Sequence, residues 1–392
     1  MNKDVLQIKN QEFITKNLNS TPERLLFKKH FDINVDIKML ITQIEAKKRC
    51  KTKLSTWYNT PNIYYPNRLN IEQTSSEITA EYKSNLIEGK HIIDLTGGFG
   101  VDCFYFSKRF QEVTHCEINN SLSQIVSHNN TQLEATNIST FHIDGISFLK
   151  ENDTQFDWIY IDPSRRHDSK GKVFFLNDCL PNVPEHMDLL FSRSKNIMIK
   201  TSPLLDLSIG INELKHVKTI HIVAVNNEVK ELLWILDANF NGDITIETAN
   251  ITKTKTHKFS FLLNDEIEAY ASYNTPKTYL YEPNVAILKS GAFKLISEQL
   301  HIDKLHPNSH LYTSDTLIDF PGRTFKIENC IAFNKKDFKT LKLHKANVAC
   351  RNFPVSVSEV KKKLKISDGG DAYIFCTTDI NDKKQLINCT KS

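Results

Sequence analysis

At 392 residues the chain exceeds what one ordinary hydrophobic core accommodates, so two or three domains are expected. Hydrophobic residues make up 40% of it, yet no uninterrupted apolar run is long enough to cross a bilayer, and the polar start MNKDVLQIKN lacks the apolar core of a signal peptide; a cytoplasmic protein without membrane segments is expected. A net charge of +4 permits a nucleic-acid partner without demanding one, while 8 cysteines with no C-x-x-C pair predict free thiols and no metal site.

Residues 3–55 carry apolar positions at helical spacing, with Thr21-Pro22-Glu23 as an N-cap followed by proline in the first turn. A helical N-terminal domain over 1–60 is expected. Its basic run, Lys47, Lys48, Arg49, Lys51 and Lys53, precedes Trp57, Tyr58, Tyr64 and Tyr65. Such a stretch is either an RNA-facing surface, with cations for phosphate and aromatics for stacking, or a solvated helix end beside core aromatics. Pro61 and Pro66 punctuate an extended link, and Ser75 or Ser76 caps a helix bearing Ile78, Tyr82 and Leu86.

The stretch HIIDLTGGFG, His91–Gly100, organises the middle of the chain. Ile92 and Ile93 mark a buried parallel strand that ends on Asp94, and Gly97, Gly98 and Gly100 form a turn that allows positive φ or close approach of a ligand before a helix begins at Val101. Asp94 with these glycines resembles the first motif of class I S-adenosylmethionine (SAM)-dependent methyltransferases. A second strand over Glu112–Asn119 places Glu117 about twenty residues beyond the turn, where a carboxylate accepts both ribose hydroxyls of an adenosine. NAD enzymes share that feature, so it selects adenosine without choosing the cofactor.

A third strand, ISTFHIDG, closes on Asp144 and Gly145. In the methyltransferase family an acid here accepts from the adenine amine, with Ile146 flanking the ring; Asp144 equally suits the N-cap of the next helix. Gln73, Thr74, Ser75 and Ser76 are in the same position, either contacts to the cofactor's methionine end or simple caps. The fourth strand, FDWIYIDPSRR, delivers Asp162, Pro163, Ser164, Arg165 and Arg166 to the same sheet edge. DPSRR resembles the fourth methyltransferase motif, an Asp or Asn followed by two prolines and an aromatic, in which the acid orients a target amine. Asp162 and Pro163 match it. Ser164 and Arg165 depart from it, and without the aromatic platform methylation of a base amine loses its stacking partner; Arg165 and Arg166 suit phosphate or carboxylate, or else a surface turn.

KNIMIKTSP supplies a fifth strand, and two more flank Asn226-Asn227, a hairpin signal. A terminal antiparallel hairpin separates the methyltransferase sheet from the dinucleotide fold. Strands over 244–263 extend it, and beyond Pro276 short strands alternate with helices such as SVSEVKKKLKI, whose lysines, with Arg351, suit phosphate or plain solvation. Together EQTSSEITAEYK, DLTGGFGVD, YIDPSRR, EPNVAILKSGAF, RNFP and GGDAYIFCTT resemble a bacterial SAM-dependent methyltransferase family with a C-terminal THUMP-like domain, over residues 60–392.

The resemblance implies an α/β protein: a Rossmann-like class I methyltransferase sheet with an N-terminal helical domain and a C-terminal α+β THUMP-like region. The expected divisions are 1–60, 61–270 for the methyltransferase, 271–320 for a small ferredoxin-like segment and 321–392 for the THUMP-like domain. Since THUMP modules in related enzymes bind RNA, the implied partner is RNA, tRNA or rRNA, with SAM as cofactor. Asp94, Gly97, Gly98 and Gly100 would hold the methionine portion, Glu117 the ribose, and Asp144 with Gly145 the adenine. Asp162 and Pro163 would orient the acceptor and Arg165 or Arg166 a phosphate. Two alternatives stay open: a protein or small-molecule acceptor, and a non-catalytic RNA-binding protein that retains SAM. The sequence is silent on oligomeric state.

Overall fold

Apolar runs bounded by turns become strands, and amphipathic helices cover them. The computed structural model of the chain describes residues 1–27, 35–165 and 175–392. These fall into two compact units, Met1–Lys218 with Leu232–Asn241, and Thr219–Glu231 with Gly242–Ser392.

In the first unit, helices α1 (Ile8–Lys16), α2 (Pro22–Leu26), α3 (Ile37–Lys53), α4 (Ser55–Asn59), α5 (Arg68–Gln73) and α6 (Glu77–Ser84) precede the sheet. Their starts are chemically marked. Thr21 accepts from Arg24 N ahead of Pro22, Asp36 accepts from Lys38 N, and Ser76 with Thr79 makes a reciprocal capping box. Strands β1 (Gly89–Asp94), β2 (Phe110–Cys116), β3 (Ile138–Phe141) and β4 (Trp158–Ile161) alternate with α7 (Val101–Phe106), α8 (Asn120–Gln132) and α9 (Gly145–Glu151). A ribbon of β5 (Ser164–Arg165) and β6 (Cys179–Leu180), then α10 (Val183–Arg193), β7 (Asn196–Thr201) and α11 (Leu207–Glu213), complete the run. β1 pairs in parallel with β2 and β4, β2 with β3, and β4 with β7.

Strands β8 (Val217–Val225) and β9 (Glu228–Asp237) come next, joined by Asn226 and Asn227 at φ 50° and 62°. Positive φ at both central residues is what a tight hairpin turn needs, and asparagine tolerates it best among residues with a side chain. The Leu232–Asp237 half of β9 runs antiparallel to β7. The parallel run closed by a reversed strand matches the methyltransferase sheet expected from sequence, although β2 ends at Cys116 and leaves Glu117 just beyond it.

The aromatic stretch after the basic run lies inside. Trp57 is 1% and Tyr65 3% exposed, in one cluster with Leu40, Phe99, Phe104, Leu122 and Ile125, so helices before and after the link share a core. Trp57 packs edge-on against Phe104 at 5.0 Å, and the Tyr65 hydroxyl donates to the Trp57 carbonyl. Lys53 Nζ donates to the carbonyls of Ile71 and Glu72, and Arg49 pairs with Glu72. These rings form a core rather than an RNA-stacking surface, because closing the helices over the sheet buries more apolar area than leaving them in water.

In the second unit, β10 (Thr245–Ile251) runs parallel to the Thr219–Val225 part of β8 and antiparallel to β11 (Thr256–Leu262). After α12 (Asp265–Glu268) come β12 (Tyr279–Pro283), α13 (Val285–Ser290), α14 (Leu295–Gln299), β13 (Asp303–Lys304), β14 (Tyr312–Ser314), β15 (Gly322–Ala332), α15 (Lys335–Thr340), β16 (Asn347–Arg351), α16 (Val357–Leu364), β17 (Ala372–Thr378) and β18 (Lys384–Lys391). The last seven strands form a sheet in the order β13-β14-β12-β15-β18-β17-β16. Val360, Leu364, Ile374 and Leu386 fill one of its cores. Arg351 is held in an ion pair by Glu282, which also takes Arg323, and Lys361 by Asp368.

Candidate active site

The site is built at the carboxyl ends of β1, β2, β3, β4 and β7. Asp94, the last residue of β1, is 2% exposed; Oδ1 accepts from Thr96 N at 2.9 Å and Thr96 Oγ1 at 3.2 Å, and Oδ2 from Cys103 Sγ at 3.4 Å. Burial pushes its carboxyl up to about 7, against the Thr96 backbone bond that lowers it and with the Asp102 charge adding to the rise. Asp102 is itself engaged beneath the loop. It pairs with the fully buried Lys83 at 3.2 Å and accepts from Ser75 Oγ and the Tyr160 hydroxyl, each at 2.9 Å. Of the two serines proposed upstream, Ser76 is the cap and Ser75 belongs to this network, where Lys83 Nζ donates to its hydroxyl.

Two of the three glycines adopt positive φ, Gly98 at 54° and Gly100, the residue before α7, at 76°. Gly97 is glycine for another reason. A Cβ there would stand 2.3 Å from the ring of His115, which is fully buried under the loop and whose imidazole burial holds down at about 4. The open side of the loop is at Gly98, where a Cβ would meet nothing nearer than the Thr96 carbonyl at 3.7 Å.

Gly98 N donates to Glu117 Oε2 at 3.0 Å, and Asn119 N to Oε1 at 2.6 Å; burial raises this carboxyl above its ordinary range. Next to it Ile118 is 70% exposed, although a side chain of this kind ordinarily goes inside. Asp144 is the N-cap of α9: its Oδ1 takes both the backbone and hydroxyl bonds of Ser147, at 2.9 and 3.1 Å. Gly145 lets α9 start against β1, since a Cβ there would lie 2.3 Å from the Leu95 carbonyl. Ile146, expected to flank an adenine, is 5% exposed.

Asp162 lies directly after β4. Its amide donates to Thr96 Oγ1 at 2.7 Å and its Oδ2 pairs with Lys200 Nζ at 2.7 Å. Pro163 is buried, and Arg165 stands on the β5–β6 ribbon, paired with Cys179. Arg166 lies outside the described residues. Thr96, Ile118 and Lys200 are the site groups to which the sequence alone assigned no role. The signals present were a threonine inside the glycine turn, an isoleucine after the second strand's acid, and a lysine ending the apolar strand NIMIK.

A structure solved for a protein of Porphyromonas gingivalis W83, described as a proposed methyltransferase, is 33% identical over the whole of this chain and 98% of its own, at a TM-score of 0.91. The chain belongs to this methyltransferase family. Its C-terminal part also matches two domain families, a ferredoxin-like domain over 279–321 and a THUMP domain-like region over 322–391. An uncharacterized RNA methyltransferase of Mycoplasma mobile is 29% identical over 135 residues, so the match spans about a third of that curated relative, 37% of its length. The fold is that of a class I methyltransferase followed by ferredoxin-like and THUMP-like modules.

For this methyltransferase the expected cofactor is SAM, and the residues fit it. The loop is open at Gly98, Glu117 stands there with the uncovered Ile118 beside it, and buried Asp94 has neutral donors as hydrogen-bond partners. A cationic nucleoside would answer all three features: its positive charge would relieve the buried carboxylate, its diol would suit Glu117, and its base would cover the isoleucine. Among the described residues no group of three or more His, Cys, Asp or Glu side chains could hold a metal, and no helix is long and apolar enough to cross a membrane.

Proposed function

We propose that the protein transfers the methyl group of SAM to a nucleotide of RNA, a tRNA or an rRNA. The observation that carries this reading is the loop Thr96–Gly98, which is bonded to Glu117 on one side and to Asp162 on the other, so a nucleoside seat and an acceptor carboxylate share one rigid support. The THUMP domain-like region and the RNA methyltransferase relative support RNA as the acceptor.

In this reading Glu117 accepts the ribose hydroxyls, Ile118 covers the adenine, and Asp144 offers Oδ2 to the adenine amine while Oδ1 stays with Ser147. Asp94 and the glycines Gly97, Gly98 and Gly100 take the methionine portion, and Gly145 brings α9 up to it. SAM supplies an already activated methyl on a sulfonium, so the protein's task is alignment and water exclusion rather than bond activation. Asp162, with Pro163 fixing the backbone beside it, orients the acceptor and receives its proton, and Arg165 or Arg166 holds a neighbouring phosphate.

The test is a SAM titration by calorimetry and then incubation of labelled SAM with total RNA, a protein extract or a metabolite pool. Label in RNA is the expected outcome. Label in protein or metabolites replaces the acceptor, and binding without any transfer removes the enzymatic reading.

A further inference from the structure

The proposed function gives Asp162 a task but leaves its ion-pair partner Lys200 without one. Lys200 lies near the end of β7 and Asp162 directly after β4, neighbours in the sheet because Ile199 pairs with Ile161. The side chains are 16% and 29% exposed, so the pair is mostly enclosed yet still reached by solvent. Its mount is rigid: Thr201, the next residue, is 2% exposed and takes the indole N–H of the buried Trp234 at 2.9 Å, and Asp162 is tied by its amide to Thr96. An ammonium 2.7 Å from a carboxylate sets N–H donors beside two acceptor oxygens.

We propose that Lys200 and Asp162 together read the Watson–Crick edge of the acceptor base and select guanine; the inference rests on the RNA reading above. Guanine carries O6, N1–H and N2–H₂ in sequence, an acceptor and then two donors, which complements lysine and both carboxylate oxygens at every position. In either orientation cytosine and adenine turn the lone pair of N3 or N1 toward the carboxylate, and uracil turns one of its carbonyls there. An unpaired group at such an enclosed site is what discriminates between bases. The pair also serves the departing proton. A nitrogen of this edge, N1 or N2, forms the new N–C bond as the methyl's bond to sulfur breaks with its electrons kept by sulfur, leaving S-adenosylhomocysteine, while the nitrogen's proton passes to Asp162 and on to solvent.

Two measurements test this. Labelled SAM and total RNA from cells lacking the protein are incubated with the enzyme, the RNA is digested to nucleosides, and the label is expected in methylguanosine. Independently of turnover, saturation-transfer NMR of the full-length protein with the four nucleoside monophosphates, without SAM, is expected to favour GMP. Lys200→Met is expected to lose that preference and to lower kcat/KM for RNA about tenfold or more, with SAM affinity unchanged and Lys200→Arg restoring part of both. Label in any other nucleoside overturns guanine selection while the RNA reading stands; label outside RNA overturns both. Equal binding of the four nucleotides, or a Lys200→Met enzyme with the wild-type base preference, removes Lys200 from base reading.

Discussion

Asp94 is the residue whose chemistry reports most directly on the cofactor, because it is buried and its carboxyl sits at about 7. A raised acid stabilises the folded chain fully below the unfolded value and loses that contribution as pH climbs through 7; a cationic ligand prefers the ionised form and so gains over the same interval. SAM affinity is therefore expected to rise from pH 6 to pH 8 and to flatten in Asp94→Asn, as calorimetry across that range would reveal; a flat wild-type profile would detach Asp94 from the cofactor. Asp162 belongs to the other side of the loop. Asp162→Ala is expected to abolish transfer and leave SAM affinity nearly intact, and equal loss of both would place it in the cofactor seat instead. Gly97→Ala pushes a methyl into the buried His115 ring, which has no flexible end to swing away, so a loss of about 1–3 kcal/mol is expected in urea unfolding. The motif was legible in the sequence, but this glycine's reason was not, since the ring that requires it comes from another strand. Lys200 was invisible for the same cause: its partner is 38 positions away and only strand order brings them together.

Elements were legible where their signals are local. β1, β4 and β7 are short apolar runs bounded by polar residues, α6 announces itself by its serine cap, and Asn226-Asn227 marks the hairpin. What stayed hidden was which face each helix turns inward. Lys47–Lys53 with Trp57, Tyr64 and Tyr65 suited a nucleic-acid surface as well as a core, and only packing against α7 and α8 decides for the core. The join between α6 and α7 is likewise tertiary: Lys83 on one meets Asp102 on the other, with Ser75 and Tyr160 completing the bonds. Removing one member of such a buried pair strands the other. Lys83→Met is expected to cost about 3–5 kcal/mol by chemical denaturation, and Lys83→Met with Asp102→Asn to recover part of it. A single variant as stable as wild type would show that the pair is not what fastens α6.

At the scale of the whole molecule, the chain passes between the compact units three times: inside β8 at Lys218/Thr219, inside β9 at Glu231/Leu232, and at Asn241/Gly242 in the turn before β10, and at the first two no proline, glycine or serine linker marks the passage. Composition could not have located those two, because there the chain passes from one unit to the other while remaining in a strand. The consequence is thermodynamic. Every residue assigned to the cofactor seat, from Asp94 to Gly145, lies in the first unit, whereas the seven-stranded sheet of β12 to β18 lies wholly in the second. A ligand stabilises the structure it binds by RT ln(1 + [L]/Kd), about 2.7 kcal/mol at a hundredfold excess over Kd. With SAM at that excess, the slowest-exchanging amides of β1, β2 and β4 are expected to gain protection of that order by hydrogen exchange, while those of β15 and β18 keep their rates. Unchanged exchange in β1 would mean that SAM does not occupy the glycine loop. Equal gains in β15 would mean that the two units open as one cooperative body, so that occupancy of the nucleoside seat is felt throughout the chain.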